Sequence, residues 1–266
     1  MPITCSTQIV PLDQEAFHAL DKRVMKHAFA IHNQLGRFFD EEIYQAELTR
    51  RCIADGLGVK REVMVCVEYK TFRKEYFLDM LMLSGAIYEL KCLAHLMGRN
   101  ESQLINYLLL TGIQHGKLIN FRPSSVEARF ISTQLTQEVR KKFCVDTASW
   151  VPRNEQDEHF NGFLLGMLTE WGAFLSKELY RDALIHFFGG EERVVCPVDV
   201  ISEGIVIGSK KLCLLDSKTA FHVSAISQRS SLYELHLHRL LAHTKLRVIQ
   251  WINFDQNHIR LKTLCS

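Results

Sequence analysis

The chain has 266 residues, of which 47% are hydrophobic, 23% charged and 10% aromatic, and its formal net charge at pH 7 is +2. That is the composition of a soluble globular protein with room for one or two domains and a large core. So small a net charge excludes a broad basic field announcing a nucleic-acid partner, and the short clusters Arg50-Arg51, Lys60-Arg61, Arg140-Lys141-Lys142 and Lys210-Lys211 read as solvated faces.

Val24, Ala28, Ile31 and Leu35 recur at helical spacing and predict a first helix ending at Gly36. Asp40 is placed to cap a second helix from about Glu41 to Asp55, which stops near Gly56 and Gly58. Residues 61–69 alternate as a strand, with Val63, Val65 and Val67 on one side. Strands around 74–83 and 86–91 follow, joined by a tight turn at Ser84-Gly85. Asn100 is a plausible cap for a helix from Glu101 to Leu110, and residues 116–121 form a last strand. A strand that returns after a helical crossover makes the sheet mixed. Residues 135–160 are polar, with Pro152 and the run Asn154-Glu155-Gln156-Asp157-Glu158, and read as a connector carrying a short helix near residues 137–143.

The remainder repeats this plan. Leu35-Gly36 through Leu48 matches Trp171-Gly172 through Leu184, with Gly, Phe, Glu, Tyr and Leu in register. Residues 101–121 match 234–254 without a gap, and both blocks end in Ile-Asn-Phe. Glu89-Leu90-Lys91 is set against Asp216-Ser217-Lys218. The expected architecture is therefore α/β: two tandem domains, 1–134 and 161–266, each a mixed sheet flanked by helices.

The chemistry concentrates in the first copy. Asp79 interrupts an apolar strand, where an unsatisfied carboxylate would cost several kcal/mol. Glu89 and Lys91 stand two residues apart on the next strand and so share a face. Asp79 can turn to that face too, which would place two carboxylates beside an ammonium. Hard oxygen donors of this kind suit Mg²⁺ or Mn²⁺ completed by phosphate. Such an ion would activate a water and offset charge on a scissile phosphate, with Lys91 beside it. Gln103 and Tyr107 face each other one helical turn apart on the following helix.

Asp79 followed by Glu89-Leu90-Lys91 resembles the signature of the PD-(D/E)XK nuclease superfamily. More narrowly, residues 24–131 resemble the GxxExxY family, a bacterial group assigned to that superfamily. The points of likeness are Leu35-Gly36, Glu41 with Tyr44, the Asp79 strand, Glu89-Leu90-Lys91, Gln103 with Tyr107, and Leu118-Ile119-Asn120-Phe121. Phe38 stands where the family's Gly-x-x-Glu-x-x-Tyr has its glycine. The resemblance implies restriction-endonuclease-like domains and Mg²⁺- or Mn²⁺-dependent hydrolysis of DNA or RNA phosphodiesters. It implies Asp79 and Glu89 as metal ligands, Glu41 as an auxiliary acid, Lys91 as the catalytic lysine, and Gln103 and Tyr107 as positioning groups.

In the second copy Glu41 corresponds to Lys177, Asp79 falls against Val206, and Gln103 corresponds to His236. That copy is expected to fold without cleaving and to serve as structure or as a binding surface. The alternative is a module that keeps the nuclease fold but only binds nucleic acid or protein, a reading the near-neutral charge favours. A protein partner and a homodimer are both open. The eight cysteines include no Cys-x-x-Cys pair, so a zinc ribbon or iron–sulfur cluster is not expected. No signal peptide is evident and no apolar run reaches eighteen residues, so the expected compartment is the cytoplasm, with no membrane partner.

Overall fold

The computed structural model describes residues 2–153 and 155–266; Asn154, in the run expected as a connector, lies outside the described residues. The chain divides into two units. One comprises Met1–Glu68 with Arg73–Gln137, the other Tyr69–Phe72 with Glu138–Ser266. No described helix is long and apolar enough to cross a membrane, and all eight cysteines are free thiols.

The first unit runs β1 (Ile3–Cys5), α1 (Gln14–Leu35), α2 (Glu41–Ala54), β2 (Val59–Tyr69), β3 (Phe72–Met82), β4 (Ala86–Lys91), α3 (Gly98–Thr111), β5 (His115–Asn120) and β6 (Glu127–Ser132). Its six strands are ordered β1-β2-β3-β4-β5-β6. β4 and β5 pair in parallel, because α3 carries the chain across between them. These two central strands are almost wholly buried, as strands covered on both faces must be. On one face, Phe17, Val24, Ala28, Ile31, Tyr44 and Leu48 from α1 and α2 close over Met80, Tyr88, Leu90 and Ile119. On the other, α3 lies close over β5: a Cβ on Gly116 would stand 3.0 Å from the Ile87 carbonyl oxygen and 3.1 Å from Leu104 Cδ1.

The helix boundaries follow from their caps. Asp13 Oδ1 accepts from the Ala16 amide at 2.8 Å, and Gly36 ends α1 with φ of 73°. Asp40 stands at the N-cap of α2 but its side chain makes no capping bond. Asn100 is not the cap of α3: the helix starts earlier, after Met97, and Asn100 in its first turn reaches back to accept from the Met97 amide at 2.9 Å. The sequence reading also missed β1 and β6. Three residues are too few to show alternation, and β6 (Glu-Ala-Arg-Phe-Ile-Ser) is a half-exposed edge whose charges mask the pattern.

The second unit contains α4 (Gln137–Arg140), β7 (Cys144–Ser149), α5 (Glu155–Trp171), α6 (Lys177–Phe187), α7 (Glu191–Val194), β8 (Val195–Ser202), β9 (Ile205–Leu214), β10 (Thr219–Ser224), α8 (Ser230–Ala242), β11 (Val248–Asp255) and β12 (His258–Cys265). Its sheet is ordered β7-β12-β11-β10-β9-β8, again with a parallel pair, β10 with β11, bridged by a helix. The stretch 135–160 is therefore not a connector. Its β7 pairs in parallel with β12, Arg140 and Asp157 are buried, and Phe160 is fully enclosed. The polar composition misled because β7 is an exposed edge strand. The extra edge strands differ between units: β1 flanks β2 in the first, whereas β7 flanks β12 in the second.

Two buried constructions recur. Tyr44 donates to the Gly36 carbonyl at 2.8 Å and stacks on Phe121, with ring centroids 4.5 Å apart. Tyr180 donates to the Gly172 carbonyl and packs on Phe254 at 4.6 Å. Asn120 accepts from the Leu93 amide at 2.9 Å and donates to the Leu93 carbonyl at 2.8 Å. Asn253 treats Ile226 in the same way, at 2.9 Å for both bonds. Each asparagine pins the chain leaving the central strand, β4 or β10. Asn120→Ala orphans two part-buried backbone groups and is expected to cost about 1–3 kcal/mol in urea unfolding. An unfolding midpoint equal to that of the unaltered protein would refute this.

Candidate active site

The first unit gathers six side chains from four elements. Glu41 is the first residue of α2, Asp79 lies on β3, Glu89 and Lys91 on β4, and Gln103 and Tyr107 on α3. Strand alternation aims Asp79, Glu89 and Lys91 at the α3 face. Lys91 Nζ stands 2.8 Å from Glu89 Oε1, 3.5 Å from Glu41 Oε1 and 3.7 Å from Asp79 Oδ2. Asp79 Oδ2 also accepts from the Leu90 amide at 2.8 Å. Gln103 Nε2 donates to Glu89 Oε1 at 2.9 Å and approaches Tyr107 Oη at 3.0 Å. Glu41, Asp79 and Glu89 thus meet around the Lys91 ammonium, and Gln103 and Tyr107 join them through Glu89.

Burial sets the electrostatics. Glu89 is 1% exposed, and its Oε2 has no hydrogen-bond partner among the described residues. Desolvation and the adjacent Asp79 push its carboxyl up to about 8, against the pull of Lys91. Asp79 is raised by burial, while Lys91 and the Leu90 amide draw it back down. Glu41 is raised by desolvation, with Lys91 opposing. Burial alone would lower the ammonium of Lys91, but Glu89, Asp79 and Glu41 outweigh it and hold the charge firmly.

Two neighbours escaped the sequence reading. Buried Gln45 donates to the Asp79 carbonyl at 2.7 Å and to Glu62 Oε1 at 2.9 Å, and accepts from Arg61 at 2.6 Å. Glu62 adds to the upward shift of Asp79 and has φ of 47°, left-handed inside a strand. Gln45 was discoverable, being four residues after Glu41 on one helix face. No sequence signal marks Glu62.

Among the described residues no three His, Cys, Asp or Glu side chains form a ready-made metal cage. The donor set nevertheless fits a divalent cation. Three carboxylates supply hard oxygens, and one buried oxygen has no other partner.

Residues 18–131 match the family model of the PD-(D/E)XK nuclease superfamily. No curated protein matches the chain. The match spans every element that supplies a site residue and, apart from Tyr69–Phe72, lies in the first unit.

The equivalent place in the second unit differs from the sequence alignment. Lys91 pairs with Asn120 and Ser224 with Asn253, so the ungapped match of 101–121 with 234–254 continues back through the paired strands. Met80 pairs with Tyr88 just as Cys213 pairs with Phe221. The counterpart of Glu89-Leu90-Lys91 is therefore His222-Val223-Ser224, and that of Asp79 is Leu212. Asp216-Ser217-Lys218 is instead the turn between β9 and β10, where Asp216 Oδ1 accepts from the Lys218 and Thr219 amides. Val206 lies near the exposed start of β9. The pairings of Lys177 with Glu41 and His236 with Gln103 keep their positions at the start of α6 and on α8.

Proposed function

We propose that the first unit is a Mg²⁺- or Mn²⁺-dependent nuclease of the GxxExxY type that hydrolyses DNA phosphodiesters, and that the second unit is a diverged, non-cleaving copy. The observation that carries the enzymatic reading is the convergence of Asp79, Glu89 and Glu41 on Lys91, with Glu89 Oε2 buried and unpartnered. Asp79 and Glu89 would hold the cation, with Glu41 at its margin. The cation would supply Lewis acidity to the phosphoryl group. Lys91 presents a fixed positive charge where negative charge develops on the phosphate oxygens. Gln103, steadied by Tyr107, orients Glu89 through Oε1 and leaves Oε2 free. Gln45 anchors the β3 backbone at Asp79.

The copy relationship is supported by the repeated tyrosine–glycine and asparagine clamps and by the shared strand register. None of Lys177, Leu212, His222 or Ser224 is a carboxylate, so the second unit lacks the acids that a divalent cation needs.

The test is cleavage of plasmid and single-stranded DNA with Mn²⁺ or Mg²⁺, repeated with RNA. Asp79→Ala is expected to reduce cleavage by about 10³-fold while the protein stays folded. Cleavage that persists in Asp79→Ala and Lys91→Ala would place the chemistry elsewhere. Salt-dependent nucleic-acid binding with no cleavage and no metal uptake would instead support the binding-module alternative.

A further inference from the structure

The second unit carries a cleft at the position where the first unit carries its carboxylates. The β9–β10 ladder stops at Cys213↔Phe221, and beyond it the two strands part. In the first unit the Asp79 carboxylate fills this split and takes the Leu90 amide. In the second, Leu212 stands in that position and offers no acceptor. By strand alternation the Val223 amide, like that of Leu90, is turned toward the gap. The opening is a cavity of about 290 Å³ whose lining includes Leu212, His222 and Val223, together with Lys177, Lys210 and Lys211.

Its charge is the inverse of the acidic site. Lys177, Arg181, Lys210 and Lys211 surround the cavity, against the single lining carboxylate of Glu178. Glu178 is engaged by Ser176 Oγ at 2.6 Å, and Arg181 is held by Asp182 at 2.9 Å. Neither Lys210 nor Lys211 has a carboxylate within salt-bridge distance among the described residues. Lys177 is the first residue of α6, an eleven-residue helix whose dipole disfavours a cation there, and its Nζ stands 3.9 Å from Glu178 Oε1, an exposed and long pair that a stronger anion can displace. His222 lies in the cavity wall with Nε2 2.7 Å from Tyr233 Oη. Burial, with Lys177 and Lys210 alongside, pushes its imidazole down to about 4. At neutral pH the ring is therefore uncharged and available as a hydrogen-bonding group.

We propose that this cleft is a phosphate-binding site, with Lys177 and Lys210 as its principal cations and the Val223 amide and His222 as hydrogen-bonding groups. The proposal holds whether or not the first unit cleaves. Phosphate of this kind comes either from a nucleic-acid strand or from a free nucleotide.

The experiment uses the full chain in a chelating buffer, so that the metal chemistry of the first unit is silent. Inorganic phosphate, a 5′-mononucleotide and a single-stranded oligodeoxynucleotide are titrated by calorimetry while the His222 imidazole resonance is followed. At least one probe is expected to move that resonance. The double variant Lys177→Gln/Lys210→Gln is expected to weaken the responding probe at least about tenfold, with Lys218→Gln, in the β9–β10 turn, as an unaffected control. Leu212→Asp, which returns a carboxylate to the split, is expected to weaken it likewise. Loss confined to the oligonucleotide identifies a strand as the source, and loss confined to the mononucleotide identifies a free nucleotide. A stationary His222 resonance with all three probes, or equal affinities in a folded double variant, overturns the proposal.

Discussion

Glu89→Gln is expected to give a protein that is more stable than the unaltered chain in alkaline, metal-free buffer and that cleaves nothing. The folded carboxyl sits at about 8, above its ordinary 4.5, so the folded state holds the proton more tightly than the unfolded chain. That contribution to stability is complete below about pH 4.5 and is lost as pH rises through about 8. Glutamine keeps the bond from Lys91 to Oε1 and never has to ionise. Urea unfolding should therefore show little difference at pH 5 and an advantage of about 2–4 kcal/mol for Glu89→Gln at pH 9. The same proton competes with a divalent cation. Mn²⁺ affinity in the unaltered protein should rise about tenfold per pH unit from pH 6 and level off above about 8. In Glu89→Gln the calorimetric signal should vanish, together with cleavage. A pH-independent Mn²⁺ affinity would remove Glu89 from the ligand set.

Lys91→Met carries the second large effect. Lys91 Nζ is the sole cation within 4 Å of Asp79 and Glu89 among the described residues. Without it three carboxylates face one another in a buried site, at an expected cost of about 3–5 kcal/mol at pH 8 without metal. A divalent cation can take over that charge-balancing role, so Mn²⁺ should raise the melting temperature of Lys91→Met more than that of the unaltered protein. Cleavage should still fall by about 10³-fold, because the ion restores stability but not the charge at the reacting phosphate. Lys91→Arg, which keeps the cation, separates the two roles: its melting temperature should recover without metal. Equal Mn²⁺-induced shifts in Lys91→Met and the unaltered protein would show that the ion binds elsewhere.

The acidic site was legible in the sequence because its logic is local. A carboxylate in an apolar strand, a Glu and a Lys two residues apart, and two polar residues one helical turn apart each announce a shared face. The central sheet was legible too, since β2 and β3 run to eleven residues each and β4 carries the apolar run Ala86-Ile87-Tyr88. What stayed hidden depended on pairing. β6 and β7 are edge strands whose half-exposed surfaces carry charge, and β1 is too short to show a period. The second unit was misregistered at one decisive place. An Asp-x-Lys tripeptide looked like Glu89-Leu90-Lys91, yet the hydrogen-bonded partner of Asn253 is Ser224. Similar residue types are weaker evidence than a ladder position, because a one-residue slip would turn every side chain to the opposite face. Glu62, with its left-handed φ inside β2, had no signature at all.

The shared register of β3 and β4 with β9 and β10 has a consequence for how such a protein can change its chemistry. The turn and the asparagine clamp stand the same number of residues apart in both units, so over β3–β4 and β9–β10 the two crevices differ in side-chain identity and not in strand register. An acidic crevice and a basic one are then neighbours in mutational space, reachable by exchanges at a few positions (Glu41 and Lys177, Asp79 and Leu212, Glu89 and His222, Lys91 and Ser224). On the two proposals above, one main-chain register would serve both for gripping a cation and for gripping an anion.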